Sequence, residues 1–254
     1  MTTRQAGAPD TKPIALPDLT ASLRAGWADF CAAPALGLFF ASVYVLTGLI
    51  MTWITYKTGH TFWLILAVLG FPLIGAFAAL GLYEISRRRA AGEPLIFSEI
   101  TAVVWAHKNG QLPWLSVIIL VAFLFWFFLG HMIFALFLGL APMTNVSSSL
   151  DVFLTSNGLT MLAFGTVIGA VFAIFIFAVS VLGMPMLLDR DVDFVTAMLR
   201  SLSAVAANPW IYLGWGAFIG AVTLIAMLPL FMGLFIALPV LGHATWHLYQ
   251  AASA

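Results

Sequence analysis

Apolar residues fall in long blocks separated by short polar segments. Blocks at Ala35–Tyr56, Phe62–Glu84, Trp114–Leu140 and Leu159–Leu188 each reach the length needed to cross a bilayer, about 20 residues. The last two exceed it, which predicts tilted or protruding helices. A final block, Trp210–Tyr249, is long enough for two crossings, roughly 40 residues. No charged residue marks its midpoint, so the turn is placed at Met227–Gly233, around Pro229. The pattern predicts an all-α, polytopic bundle of six transmembrane helices.

The segments between the blocks repeat a design. Asp18–Ala33 sets Leu19, Leu23, Trp27 and Phe30 on one helical face and stops at Pro34. Ser98–Leu112 does the same with Ile100, Val103, Val104 and His107 before Pro113, and Asp193–Asn208 with Phe194, Met198, Leu202 and Val205 before Pro209. Asp18, Ser98 and Asp193 are expected as N-caps. Three amphipathic helices lying along the cytoplasmic surface are predicted. Each is followed by two spans, and a proline recurs late in each unit, at Pro72, Pro185 and Pro239. This order predicts a threefold repeat of surface helix plus hairpin, with units at about 18–96, 97–191 and 192–254.

Composition agrees with a lipid solvent. The chain is 63% hydrophobic and only 8% charged, with a mean hydropathy of +1.07, too little charge to cover a water-facing surface. Zero net charge excludes the basic stripe that nucleic acid requires. The lone cysteine, Cys31, leaves no internal disulfide and no cysteine-based zinc site. Residues 1–17, rich in proline and charge, are expected to be a flexible cytoplasmic tail ahead of a single membrane domain at 18–254. Six spans with the N-terminus inside keep Arg4, Lys12, Arg24, Arg87, Arg88, Arg89, Lys108, Arg190 and Arg200 cytoplasmic and leave only Lys57 outside; the reverse violates the positive-inside rule. Trp53, Tyr56, Trp63, Trp114, Trp210, Tyr212 and Tyr249 fall near span ends, as interfacial aromatics do.

Three stretches carry a resemblance: Phe71–Arg88 (FPLIGAFAALGLYEISRR), Pro185–Ser201 (PMLLDRDVDFVTAMLRS) and Leu238–Tyr249 (LPVLGHATWHLY). They resemble a family of uncharacterised bacterial inner-membrane proteins, domain-of-unknown-function family 2189. The resemblance is expected over nearly the whole chain after Pro17 and most specifically in the last two stretches. It implies a bacterial inner-membrane location and this architecture, and it carries no activity or catalytic residues.

No dinucleotide fingerprint, P-loop, HExxH or GxSxG turn occurs. Ionisable residues at membrane depth are therefore the places to look for chemistry. His131 lies about 25 Å along the third span among Phe125, Trp126, Phe127, Phe128 and Phe134. A bis-histidine haem would need a second histidine at that depth, and His243 is some 15 Å too shallow; a hydrogen-bonded neutral histidine is the plainer reading. Glu84 precedes Arg87 and Arg88 at ion-pair spacing and reads as a solvated end-of-helix pair. Arg87–Arg89 read as a topology signal touching anionic headgroups. Asp189, Asp191 and Asp193 lack the spacing of a calcium loop.

Gly165, Gly169 and Ala173, and Gly216 with Gly220, have the spacing of close helix contacts. His243 and His247 share a helical face. With Glu84 and Asp189 at similar depth they form a candidate divalent-metal or proton-sensing site, set against ordinary interfacial histidines.

No cofactor is predicted. The missing signatures and short loops lead to a non-enzymatic inner-membrane component, its partners the lipid bilayer and another inner-membrane protein or complex. A small-solute or ion transporter, and a haem- or quinone-associated redox subunit, are the alternatives.

Overall fold

A computed structural model describes residues 5–59, 64–139 and 151–253. The first residues of the expected tail, the Phe62 start of the second span and the Leu140 end of the third lie outside them. The described chain is helical apart from one two-residue strand pair. In order it runs β1 (Gln5–Ala6), α1 (Leu16–Ala32), α2 (Pro34–Thr58), α3 (Leu64–Ala90), α4 (Phe97–Ala106), a 3₁₀ turn (His107–Asn109) and α5 (Leu112–Leu138). It continues with α6 (Asp151–Leu154), α7 (Ser156–Ser180), α8 (Gly183–Asp189), β2 (Arg190–Asp191), α9 (Phe194–Ala207), α10 (Pro209–Met227) and α11 (Leu234–Ser253).

Among the described residues, four stretches are long and apolar enough to cross a membrane: α2, α5, α7 together with α8, and α10. The other two long helices are mixed. α3 ends in Glu84 and three arginines, and α11 carries Pro239, His243, Thr245, His247 and Gln250. These two are the polar-edged centre of the bundle, in contact with each other and with α8. α2, α5 and α10 lie outside them, with most of their apolar side chains uncovered.

The prolines act as the pattern requires. Pro34 and Pro209 sit in the first turn of α2 and α10, and Pro113 in that of α5, where a missing N–H costs nothing. The short helices before them pack on long ones: α1 on α11, α4 on α3, and α9 on α7 and α8. Their starts differ from expectation. Asp193 caps α9, accepting from the Thr196 N–H at 2.9 Å and its hydroxyl at 2.6 Å. α1 instead begins at Leu16, and Asp18 reaches back to the Ala15 N–H at 2.7 Å; α4 begins at Phe97 with no side-chain cap. The late prolines do not share a position either. Pro72 and Pro239 lie in the first halves of α3 and α11, whereas Pro185 falls in the first turn of the short α8.

The turn between α10 and α11 falls within Met227–Gly233 as expected. It forces Leu230 and Phe231 to φ of 50° and 64°, a left-handed conformation that costs bulky residues energy. The Phe231 ring is held against α2 at Gly48, where any Cβ would stand only 3.1 Å from ring carbons.

The expected fourth span is broken in two. Pro185 has no N–H to give the Val181 carbonyl, so the ladder is interrupted near Val181–Leu182. A side chain from α9 fills the gap. The Ser201 hydroxyl donates to the Ala178 carbonyl at 2.6 Å and accepts from the Leu182 N–H at 3.1 Å, standing inside the i to i−4 ladder and kinking it. Ser201 is wholly buried, so no solvent competes.

The expected flexible tail is docked over residues 5–15. β1 pairs in parallel with β2, Gln5 opposite Arg190 and Ala6 opposite Asp191. The Lys12 N–H donates to the Ala252 carbonyl at 2.9 Å, Asn208 donates to the Ile14 carbonyl at 2.5 Å, and Ile14 is buried. Backbone pairing, which leaves no hydrophobic periodicity, holds the segment down.

Replacing Ser201 by alanine leaves the Ala178 carbonyl and the Leu182 N–H without their shared partner. The expected loss is about 1–3 kcal/mol of stability, read from unfolding in mild detergent. A wild-type midpoint would mean that the break satisfies itself.

Candidate functional site

The polar residues of the bundle gather where the ends of α1, α3 and α11 meet, which we call the junction. Helical spacing sorts the last turns of α3 between two neighbours. Leu82, Ser86 and Arg89 share a stripe facing α1 and α11, while Glu84 and Arg88 share one facing α4. On α11, His243 and His247 stand one turn apart on one face. On α1 the buried positions are Leu19, Ser22, Gly26 and Asp29, an apolar helix stripe that ends in an acid.

Gly26 makes the junction close. A Cβ there would lie 2.6 Å from the Ala244 nitrogen and 2.7 Å from the Val240 carbonyl oxygen, so only glycine lets the two backbones touch. One turn later this approach delivers Asp29 onto α11. One carboxylate oxygen of Asp29 accepts from His247 Nε2 at 2.8 Å and the other pairs with the Arg89 guanidinium. The Ser86 hydroxyl supplies a further hydrogen bond. Asp29 is 5% exposed, and its donors come from two helices other than its own.

Burial alone would push the Asp29 carboxyl up. The hydrogen bonds from His247 and Ser86, with the positive charge His247 brings when protonated, outweigh it and hold the carboxyl below the usual carboxylate range.

His243 is wholly buried beside this pair. Its Nδ1 lies 3.0 Å from the Leu82 carbonyl oxygen and 2.8 Å from the Ser86 oxygen. A carbonyl only accepts, so Nδ1 carries the proton and Ser86 accepts from it, leaving the serine proton for Asp29. Nε2 is then a buried lone pair that meets no partner among the described residues. Ser86 is also wholly buried, with its proton already engaged, so it has neither the freedom nor the access of a nucleophile.

The other stripe of α3 corrects the solvated-pair expectation. Glu84 is 0% exposed and takes both Arg87, at 2.7 and 2.9 Å, and Arg88, at 2.8 Å. Arg88 continues to Glu99 on α4 at 2.6 Å and to the Pro94 carbonyl at 3.1 Å. Arg87 also reaches Glu93 at 3.3 Å. The arginine run is thus engaged inside the protein: Arg89 binds α1, and Arg88 binds α4.

Of the candidate metal ligands, the structure brings His243 and His247 together, but around Asp29. Glu84 is occupied by its arginines. Asp189 does meet α11, where it accepts from the Tyr249 hydroxyl at 2.8 Å and from Arg190 at 3.1 Å. No group of three metal-ligating side chains forms among the described residues. His131 stands apart on α5, exposed, with Nδ1 bonded to the Phe127 carbonyl at 2.8 Å.

Asp29 is the residue that the sequence reading missed. Its signal was the stripe itself, since an acid extending the buried face of an amphipathic helix needs partners on whatever that face meets.

Residues 64–189 match the family described as "Predicted integral membrane protein (DUF2189)". The chain carries a DUF2189 segment. That segment runs from α3 through α8 and contains Glu84, Ser86, the three arginines and Asp189. It is narrower than the expected resemblance: Leu238–Tyr249 lies outside it and Pro185–Ser201 is cut at Asp189. Asp29, His243 and His247 also lie outside, so the junction joins the DUF2189 segment to both flanks of the chain. No curated protein and no solved structure matches.

Because the folded carboxyl of Asp29 sits below its unfolded value of 3.8, its charged form favours the fold. That contribution is present above pH 3.8 and is lost as pH falls through the depressed pKa. Asp29→Asn should lower stability at neutral pH and flatten this acid limb in pH-dependent melting of the detergent-solubilised protein. An unchanged acid limb in the variant would remove Asp29 from the account.

Proposed function

We propose that the protein is a non-enzymatic component of the bacterial inner membrane, an accessory or assembly partner of another membrane system. One observation carries this reading: the buried charges at the junction neutralise one another instead of converging on an open cavity. Asp29 and Glu84 each have their donors on neighbouring side chains, and beyond the junction the half-buried Asp189 is likewise met by Tyr249. Much of what remains exposed is apolar surface, including Trp27 on α1, Trp105 on α4, Leu199 on α9 and the outer faces of α5 and α10. Such a surface suits lipid and helix contact better than turnover.

Transport is the weaker reading. A cavity of about 220 Å³ among α2, α3, α7, α8, α10 and α11 has five hydroxyl-bearing residues in its lining, Tyr44, Tyr83, Ser180, Thr223 and Thr245, the rest being apolar. Those of Tyr44, Ser180 and Thr245 are turned onto the carbonyls of Gly75, Ile176 and Leu241, and no charged side chain lines the cavity to bind or relay an ion.

The proposed membrane arrangement keeps six spans, with α3 and α11 as the two mixed ones and both chain ends cytoplasmic. The basic-residue asymmetry supports it. The threefold repeat is supported by its neighbours. Each short helix packs on the return helix of the unit before it, α4 on α3, α9 on α7 and α8, and α1 on α11. Likewise α5 follows α3, α10 follows α7, and α2 follows α11, an order that closes into a ring.

Topology is tested with reporter fusions after Lys57, His107, Asn157, Val192 and Ala254. Lys57 and Asn157 should read out as periplasmic and the other three as cytoplasmic; a periplasmic signal at Ala254 would reduce the last block to one crossing. Function is tested by extracting the protein with its native lipid into polymer discs, followed by mass spectrometry and an absorption spectrum. A stoichiometric membrane partner supports the accessory reading. A Soret band, or a retained water-soluble solute without a partner, would overturn it.

A further inference from the structure

A lateral cleft opens between α5 and α7, away from the junction. Its volume is about 480 Å³, within the range of small-molecule sites, roughly 300–1,000 Å³. Glycines make the space. At Gly130 and Gly165 a Cβ would meet nothing within 4 Å, and at Gly169 it would stand 3.2 Å from Trp126 Nε1. Gly169 thus seats the Trp126 ring of α5, while Gly165 leaves open space on the side of α7 opposite the aromatic side of α5.

Three polar groups line this cleft, from Trp126, His131 and Thr166. His131 Nδ1 faces the Phe127 carbonyl at 2.8 Å and so carries the proton, which leaves Nε2 as a lone pair. Trp126 contributes an N–H donor. Thr166 contributes a hydroxyl that is not bonded back to its own helix, unlike those of Thr47, Thr52, Thr160 and Ser180. Among the described residues these three groups have no hydrogen-bond partner inside the cleft. Hydrocarbon chains offer them none, so an acyl chain alone leaves a donor, an acceptor and a hydroxyl unsatisfied.

We propose that the cleft binds the ring of a membrane quinone, as quinone or quinol. The two forms present carbonyl acceptors or hydroxyl donors on a flat apolar ring. The Trp126 N–H matches a carbonyl, and the His131 lone pair matches a hydroxyl. Phe127 and Phe134 supply aromatic wall on which such a ring stacks. The lateral opening lets the isoprenoid tail remain in lipid. No second histidine lines the cleft, which separates this chemistry from a bis-histidine haem. The assignment does not rest on the accessory role, and either stands if the other fails.

The test is a titration of the whole protein in phospholipid nanodiscs with a benzoquinone carrying a decyl tail, followed by quenching of tryptophan fluorescence. Saturable quenching is expected, much of it lost in Trp126→Phe. Gly165→Leu fills open space, so it should keep the wild-type melting temperature and abolish saturable binding. His131→Ala should weaken binding about tenfold, the scale of one lost hydrogen bond. Non-saturable partitioning that is equal in wild type and Gly165→Leu would overturn the proposal. So would competition by a ring-free decyl chain at equal potency, which would make the occupant a lipid tail.

Discussion

A carboxylate removed from water must find its hydrogen bonds inside the protein or give up its charge. Asp29 finds them on two helices distant in the sequence, from Ser86 and Arg89 on α3 and from His247 on α11. The bundle is ordered around that requirement. Gly26 removes the side chain that would hold α1 away from α11, and the last turns of α3 present serine and arginine toward the gap. One anion thereby fixes the first short helix against the last long one.

The same logic, that a buried polar group must be met by a neighbouring element, docks the other short helices. Arg88 joins Glu84 on α3 to Glu99 on α4. Ser201 on α9 enters the ladder that Pro185 interrupts. In hydrocarbon the apolar faces of helices gain little by touching each other, because lipid is equally apolar. Polar groups that cannot be left unsatisfied then supply the specificity. This explains why a chain with so few charged residues spends them in pairs rather than on an open site.

Much of this was legible in the sequence, and the limits have physical causes. Pro34, Pro113 and Pro209 marked helix starts because a ring without an N–H is tolerated in the first turn and excluded further in. The turn at Met227–Gly233 was visible from length alone. Pro185 announced a disturbance in the fourth span, but not that a serine sixteen residues later would repair it, because such a bond depends on tertiary approach.

The pairing of Glu84 with Arg87 and Arg88 followed from helical spacing, while its dryness did not: burial is set by α4 and the loop before it. His243 and His247 were singled out by their shared face. Asp29 escaped because ionisable residues were sought at membrane depth, and it lies in a helix assigned to the surface. The N-terminal strap, held by backbone pairs and by Ile14, leaves no periodic trace at all.

The central claim is that Asp29 couples α1 to α3 and α11 through direct charge-assisted bonds. A double-mutant cycle on Asp29→Ala and Arg89→Ala, read as unfolding free energy at neutral pH in one detergent, measures that coupling. The account predicts an interaction energy of about 1–3 kcal/mol, with the second substitution costing little once the first is made. Single-variant losses that add to within about 0.5 kcal/mol would show that the two groups do not act together, and would contradict it.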